Sequence, residues 1–335
     1  MTVGADRVLA ALRGAQSRPS SGEDLSEHLG VTRAQIWKHV EALRKHGYEI
    51  EGAAGGGYRL TSIPDRLYPA ELAAGLETQW LGRTVEWLDV ADSTNRIAAE
   101  RAREGAPHGT AIVAEGQTAG RGRLGRSFFS PPYESLYVSF VLRPEIDTRA
   151  APTTILAAAI AVAEAVAGEL PDPDRIEIKW PNDVLIDGLK TSGILMEMAS
   201  EATQVRHLIL GIGVNLNVDP TRFPAEFRAT STSVGAAAAR HIDRIQFAQR
   251  LFGILEDVLD RHAEGGFATL RERFDRFYRM EGRPVQVTEM GGAPQHGIAL
   301  APDPDGSLPL RREDGTVFRV VAGDVTLARP SEETS

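Results

Sequence analysis

The stretch "QTAGRGRLGRSFFSPP", residues 117–132, sets three arginines and three glycines together in a chain of formal net charge -9. It has no hydrophobic periodicity, so it reads as a loop. A solvated surface loop, a nucleic-acid contact and a loop that folds over something small and anionic would all look like this. Its glycines let backbone approach a ligand closely, and its guanidinium groups offer fixed forks to carboxylate or phosphate oxygens. A P-loop is excluded, because no Gly-Lys-Ser/Thr is present and no helical pattern follows the glycines. The flanks are strand-like. "TAIVAE" (110–115) precedes the loop, and "SLYVSFVL" (135–142) follows it with Leu136, Val138, Phe140 and Leu142 alternating onto one face.

Outward from these strands, helical and strand patterns alternate. "STNRIAAERAREG" reads as a helix closed by Gly105, and residues 153–169 as another. "RIEIKW" is a strand ended by Pro181-Asn182. "VLIDGLKTSGIL" is a hairpin that puts Lys190 on the return strand, and "HLILGIGVNLNV" is a strand broken by two glycines. "RIQFAQRLFGILEDVLDRH" is a long amphipathic helix. The expected centre is an α+β domain around one mixed sheet. From Arg283 onward, short strands between Gly, Pro and Asp turns predict a small β-barrel of five or six strands, ahead of a frayed "PSEETS".

The N-terminal residues differ in kind. "DRVLAALRGA" and "SSGEDLSEHLG" are short helices, the second ending at Gly30. In "VTRAQIWKHVEALRKHG", Thr32 and Gln35 form a capping box, Ile36, Val40 and Leu43 share a face, and Gly47 is the expected residue past the helix end. A Gly-tipped hairpin follows. Three helices and a hairpin make a winged helix-turn-helix, with residues 32–46 as the candidate recognition helix. Thr32, Arg33, Gln35, Lys38 and His39 are its candidate DNA contacts. Residues 1–60 carry eight Lys/Arg against seven Asp/Glu, so a module that only packs or dimerises stays open as an alternative. The expected domains are 1–63, 64–282 and 283–330, with a tail at 331–335.

Composition narrows the function. A chain of 335 residues, 42% of them hydrophobic, is long enough for a sizeable core. No apolar run approaches the roughly 20 residues that span a bilayer, and the N-terminus lacks a signal-peptide pattern. A cytoplasmic location is expected. The absence of cysteine excludes disulfides, thiolate metal sites and Cys nucleophiles. The acidic balance argues against a protein that coats nucleic acid, though not against one small reading module.

Three further segments carry candidate chemistry. Lys190, among apolar neighbours, needs an anionic partner: Asp183, Asp187 or a ligand. Asn215 and Asn217, two residues apart, are expected on one strand face and in need of hydrogen-bond partners. "DSTN" (92–95) opens a helix, where free N–H groups and hydroxyls either cap the helix or hold a polar head group.

In this order, "DSTN", "GQTAGRGRLGR…FFSP", "KWPNDV", "LKTSGIL" and "GIGVNLN" resemble the biotin protein ligases. The two ends of the chain resemble the end domains of bifunctional members that double as biotin-operon repressors. The resemblance spans nearly the whole chain. It implies a central domain related to class II aminoacyl-tRNA synthetases and an SH3-like C-terminal barrel. It implies a ligase that joins biotin to ATP as biotinyl-5′-AMP and passes the biotin to one lysine of biotin carboxyl carrier protein. Mg²⁺, operator DNA and a homodimer in the adenylate-bound state are implied with it.

By the same resemblance, Arg123, Lys190 and Asp183 are the catalytic residues, Asp183 also being the candidate Mg²⁺ partner; the sequence identifies no general base for the transfer step, for which Asp183 is the candidate. Ser93, Thr94, Asn95, Gln117, Gly120, Arg121, Gly122 and Gly193, with Arg123 and Lys190, would surround biotin. Arg121, Arg123, Arg126, Phe128, Asn182, Asp183 and Asn215 would face the nucleotide. Phe223 and Phe227 are candidates for an aromatic lid over adenine. Phe128-Phe129 stands where the family often has an aromatic pair with Trp. The alternatives are a lipoate–protein ligase, a ligase whose helix-turn-helix no longer binds DNA, and a ligand-sensing repressor without ligase activity. The presence of both Arg123 and Lys190 argues against the last.

Overall fold

The structure, a computed structural model, describes residues 2–15, 18–53, 56–289 and 292–327. Thr2 and Ser21 cap α1 (Val3–Gly14) and α2 (Gly22–Leu29) by accepting the N–H groups of Ala5 and Asp24. At α3 (Arg33–Lys45) the expected capping box is formed by Thr32 and Gln35. Gly30 ends α2 at φ 66° and Gly47 follows α3 at φ 92°, left-handed positions that favour glycine. Ile36, Val40 and Leu43 are buried, as are Val8, Leu9 and Leu12 on α1, which packs against α3. The antiparallel pair β1 (Glu49–Ala53) and β2 (Gly57–Ser62) forms the wing; its expected Gly-rich tip, 54–55, lies outside the described residues. These elements make one compact unit, Met1–Arg66.

The second unit runs from Leu67 to Ser335. Its strands are β3 (Val85–Ala91), β4 (Thr110–Gln117), β5 (Leu136–Leu142), β6 (Ile176–Lys179), β7 (Asp183–Ile186), β8 (Leu189–Glu201) and β9 (Gln204–Val214). They form one mixed sheet in the order β3-β4-β5-β9-β8-β7-β6, parallel only between β3 and β4. Its helices are α4 (Pro69–Ala74), α5 (Thr94–Arg103), α6 (Thr153–Ala167), α7 (Ala225–Arg228), α8 (Val234–Ala238), α9 (Arg244–Gly265) and α10 (Arg271–Asp275). β5 divides its side chains as the alternation predicts. Leu136, Val138, Phe140 and Leu142 join the core with α6 and α9, whereas Val141 joins Ile97, Ala98 and Ala102 of α5. Both faces of the sheet are therefore covered. α6 buries 12 of its 15 residues, which explains its alanine-rich, nearly uncharged sequence.

The C-terminal strands β10 (Pro284–Thr288), β11 (Gln295–Ala299), β12 (Leu308–Arg311), β13 (Val317–Val320) and β14 (Asp324–Leu327) form a five-stranded antiparallel sheet, in the order β13-β12-β11-β10-β14. Val285, Val287, Leu308, Leu310 and Val325 share one core with α6. Trp180, on the central sheet's side, donates its indole N–H to the Gly306 carbonyl at 2.9 Å. The tail at 331–335 lies outside the described residues. Among those residues no helix is long and apolar enough to cross a membrane.

One expectation is corrected. β9 is not broken at its glycines: it runs through Gly211 and Gly213, where bare backbone makes room for side chains of the site.

A buried ion pair ties the sheet together. Glu115, near the end of β4, and Arg244, at the start of α9, are both fully buried and 2.9 Å apart. Glu115 also accepts the Leu67 N–H at 2.8 Å and the Trp87 indole N–H at 3.0 Å. The carboxylate so joins the start of the unit, edge strand β3 and α9 to the strand that launches the arginine loop. Removing one partner leaves an uncompensated buried charge. Arg244→Met should therefore lower unfolding stability by about 3–5 kcal/mol, measured by urea denaturation; a loss below about 1 kcal/mol would contradict this assignment.

Candidate active site

The arginine loop is folded rather than open. Phe128 N–H donates to the Gly120 carbonyl at 2.9 Å and Gly122 N–H to the Arg126 carbonyl at 2.7 Å. A single 3-10 turn, Arg123–Gly125, closes it, with Leu124 at φ 55° and Gly125 at φ 74°. The loop sends its three arginines in different directions. Arg121 is exposed. Arg126 reaches Asp324 of β14 at 2.6 Å. Arg123 turns inward and donates to Asn182 Oδ1 at 3.0 Å. Burial pulls the Arg123 guanidinium below its ordinary value against the opposing charges of Asp183 and Asp324; it remains a cation.

Lys190 comes to the same place from a rigid strand. In the β7–β8 ladder, Asp183 faces Gly193 and Val184 faces Ser192, but Leu185 faces Lys190. Thr191 is therefore an extra residue, a β-bulge. The bulge shifts the alternation by one and puts Lys190 on the face of Asp183 and Gly193. Lys190 Nζ meets Asp183 Oδ1 at 2.6 Å. Of the expected partners, Asp187 is not used: it is paired with Arg175 at 2.6 Å, whose hydrogen bond holds the Asp187 carboxyl below the usual carboxylate range. Gly193 matters because a Cβ there would lie 3.2 Å from both Lys190 and the Phe128 ring.

Two cavities, of about 50 and 490 Å³, meet at these residues. Gly122, Arg123, Phe128, Asn182 and Lys190 line both. The smaller one has a polar floor at the start of α5. Gln117 Oε1 accepts from the Thr94 N–H at 2.9 Å and lies 3.1 Å from its hydroxyl, while Gln117 Nε2 donates to Ser130 Oγ. Ser93 and Arg121 also line it. The Ser93 side chain does not cap α5, so the capping alternative for this segment falls away. Arg126, Asp183, Asn215, Phe223 and Phe227 line the larger cavity.

Several expected residues stand differently. Asn95 touches the smaller cavity, but its amide is engaged within the protein. Its Oδ1 lies 2.6 Å from Ser139 Oγ, and its Nδ2 donates to Glu197 at 3.0 Å and to the Leu195 carbonyl. It crosses Gly211, where a Cβ would be 1.9 Å from Oδ1. Gly120 lines neither cavity; it lies behind the loop, where a Cβ would be 2.5 Å from Ser130 Oγ. Asn215 and Asn217 do not share a strand face, because β9 ends at Val214. Asn217 holds Ile242, whereas Asn215 donates to the Thr232 carbonyl and leaves its buried Oδ1 without a partner. Phe223 is buried against Phe129, ring centres 5.7 Å apart; Phe227 is half-buried.

On the helix-turn-helix unit, Arg33 and Lys38 are exposed on α3. The Thr32 and Gln35 side chains are engaged in the capping box. His39 faces α1: a Cβ on Gly4 would lie 2.4 Å from its ring. Trp37, which the charge pattern passed over, is 53% exposed beside Lys38. The sequence reading also missed the bulge at Thr191 and the cavity-lining Lys179 and Asp324. A lysine four residues before Asp183 was a visible signal for Lys179; nothing local marks the other two.

Two cations converging where paired cavities meet on a mixed sheet, in a chain that also carries a winged helix-turn-helix, make the kind of site that a ligase of anionic substrates requires. The sequence profile of the Biotin/lipoate A/B protein ligase family matches residues 87–215, and that of an HTH domain matches residues 5–59. The chain is 37% identical to the Bifunctional ligase/repressor BirA of Bacillus subtilis over 92% of this chain and 93% of the relative. To its counterpart in Escherichia coli it is 33% identical over 92% of each. A solved biotin protein ligase from Aquifex aeolicus, in complex with biotin and ATP, superposes with a TM-score of 0.63 at 27% identity, covering 74% of this chain and all of that one. The chain belongs to the biotin protein ligase family, as a ligase/repressor of the bifunctional kind.

The close approach at Gly211 gives a test of the site's scaffold. Gly211→Ala should push Asn95 off its partners and cost about 1–3 kcal/mol of unfolding stability. An unchanged urea midpoint would contradict the assigned packing.

Proposed function

We propose that this protein activates biotin with ATP, releasing pyrophosphate and forming biotinyl-5′-AMP, and then passes the biotinyl group to the ε-amine of one lysine on a biotin carboxyl carrier protein, releasing AMP. One observation carries the reading: Arg123 and Lys190 stand at the seam of the two cavities, with one cation reaching in from a loop and the other from a strand. The smaller cavity is assigned to biotin, with Ser93, Thr94 and Gln117 toward its polar ring and Arg121, Gly122 and Gly193 along the way. Asn95 and Gly120 support that wall from behind. The larger cavity is assigned to the nucleotide, facing Arg126, Phe128, Asn182, Asp183 and Asn215, with Phe227 over the base. The free Asn215 Oδ1 is an acceptor suited to a donor on the bound nucleotide.

The chemistry explains why fixed cations belong at the seam. A carboxylate must approach a phosphate, and two like charges about 3.3 Å apart repel by roughly 5 kcal/mol at an effective dielectric of 20. Arg123 and Lys190 offset that repulsion and stabilise charge spreading over the phosphate oxygens. The folded arginine loop shields the mixed anhydride from water. Asp183 is the candidate acceptor for the carrier lysine's proton. Among the described residues no group of three or more His, Asp or Glu is placed to hold a metal. Of the two carboxylates lining the nucleotide cavity, Asp324 is paired with Arg126, and Asp183 would be the protein contact of a magnesium ion that arrives on the phosphates. When bound, that ion would neutralise the departing pyrophosphate.

The domain division 1–63, 64–282 and 283–330 belongs to the same proposal, as does repression through operator DNA by an adenylate-bound dimer. Symmetric half-sites require two recognition helices related by a two-fold axis. On α3, Arg33, Trp37 and Lys38 supply the exposed cationic and apolar surface that a major groove takes.

Two experiments test the proposal. Wild type should adenylate biotin and label a carrier domain, while Arg123→Ala and Lys190→Ala should each lose at least about 100-fold in adenylation. Near-wild-type rates in both variants, or adenylation of lipoate without biotin, would contradict it. In salt titrations on its own upstream DNA, the adenylate-loaded protein should bind with a slope that Lys38→Ala reduces by about one. A protein that stays monomeric and binds without salt dependence would remove the repressor half.

A further inference from the structure

Asp183 has two ammonium neighbours. Lys190 Nζ lies 2.6 Å from Oδ1, and Lys179 Nζ lies 3.9 Å from Oδ2. All three side chains are largely shielded, with exposures of 34% for Lys190, 21% for Lys179 and 14% for Asp183. Lys179 ends β6 and pairs directly across the ladder with Asp183, the first residue of β7, so its reach to that carboxylate is fixed by the sheet. It lines the larger cavity but not the smaller one.

This arrangement poses a charge problem. If Lys190 turns to an anion at the seam, it leaves Asp183, and a shielded carboxylate without a counterion is costly. We propose that Lys179 is the replacement counterion. It closes on Asp183 as Lys190 departs, so that the catalytic ammonium is released without stranding the carboxylate. Lys179 is thus a positioning residue acting through Asp183, and the 3.9 Å separation is its waiting position. The idea rests on the adenylate-forming reading of the site.

The test is a binding cycle that needs no turnover. The probe is a biotinyl-adenylate analogue with a sulfamate in place of the phosphate, titrated calorimetrically into full-length protein. Lys179→Met should weaken binding by about tenfold, while Lys179→Arg, which keeps the charge, should stay within about threefold of wild type. In the Asp183→Asn background no charge remains to be neutralised. There, Lys179→Met should cost no more than about threefold. A tenfold loss that persists in that background would show Lys179 touching the ligand directly and would overturn the proposal. So would wild-type affinity in Lys179→Met. A wild-type protein that does not bind the analogue would overturn both this idea and the adenylate reading beneath it, an outcome separate from the others.

Discussion

An ammonium held against a carboxylate where two cavities join is the constraint on which the site depends. Lys190, about a third exposed, is paired there with the more deeply buried Asp183 at 2.6 Å. The local architecture serves that contact. A bulge at Thr191 turns the lysine onto the carboxylate's face, and a bare backbone at Gly193 leaves room for it to lie flat. Asn182, the residue before Asp183, donates to the Ile194 carbonyl and accepts from Arg123, which aims the second cation at the same seam. The ion pair holds Lys190 beside the seam, so a cation is already in place where the two cavities meet.

The two cations differ in mechanical character, and the difference matters for a two-step reaction. Lys190 stands on the central sheet, which is covered on both faces and joined through Glu115 to α9 and to the start of the unit. Arg123 stands on a small folded loop whose left-handed Leu124 and Gly125 give it a tight turn. The loop is anchored to the C-terminal sheet through Arg126 and Asp324. A rigid cation fixes the reaction coordinate, while one on a loop can admit substrates and then close over them. That anchor also gives the C-terminal strands, which share the α6 core, a place in the site beyond packing.

Much of this was legible in the sequence, and what was not has physical reasons. Alternation marked β5 and its core face correctly, Gly30 marked the end of α2, and Thr32, Gln35 and Gly47 marked the ends of α3, because capping is local chemistry. The arginine loop and the Lys190 hairpin were read from residue type and order; the biotin-facing roles of Thr94 and Gln117 entered only through the family resemblance, and their contact is seen in the structure. Register was not legible. A bulge is decided by a partner strand, so Thr191 gave no sign that Lys190 would reach Asp183 and not Asp187. Gly211 and Gly213 looked like breaks because the side chains that need their space, Asn95 and Phe128, lie more than 80 residues earlier. His39, a candidate DNA contact on α3, packs on Gly4, and nothing local showed this because its partner is distant in sequence.

The most direct measurement is a crystal structure of the protein with biotin and a non-hydrolysable ATP analogue. The account predicts the biotin carboxylate and the α-phosphate side by side at the seam. Lys190 Nζ should have left Asp183 for their oxygens at about 2.8–3.0 Å, with Arg123 on the same group and Lys179 drawn onto Asp183. Ligands bound elsewhere, or bound with Lys190 still on Asp183 and Arg123 turned away, would contradict it.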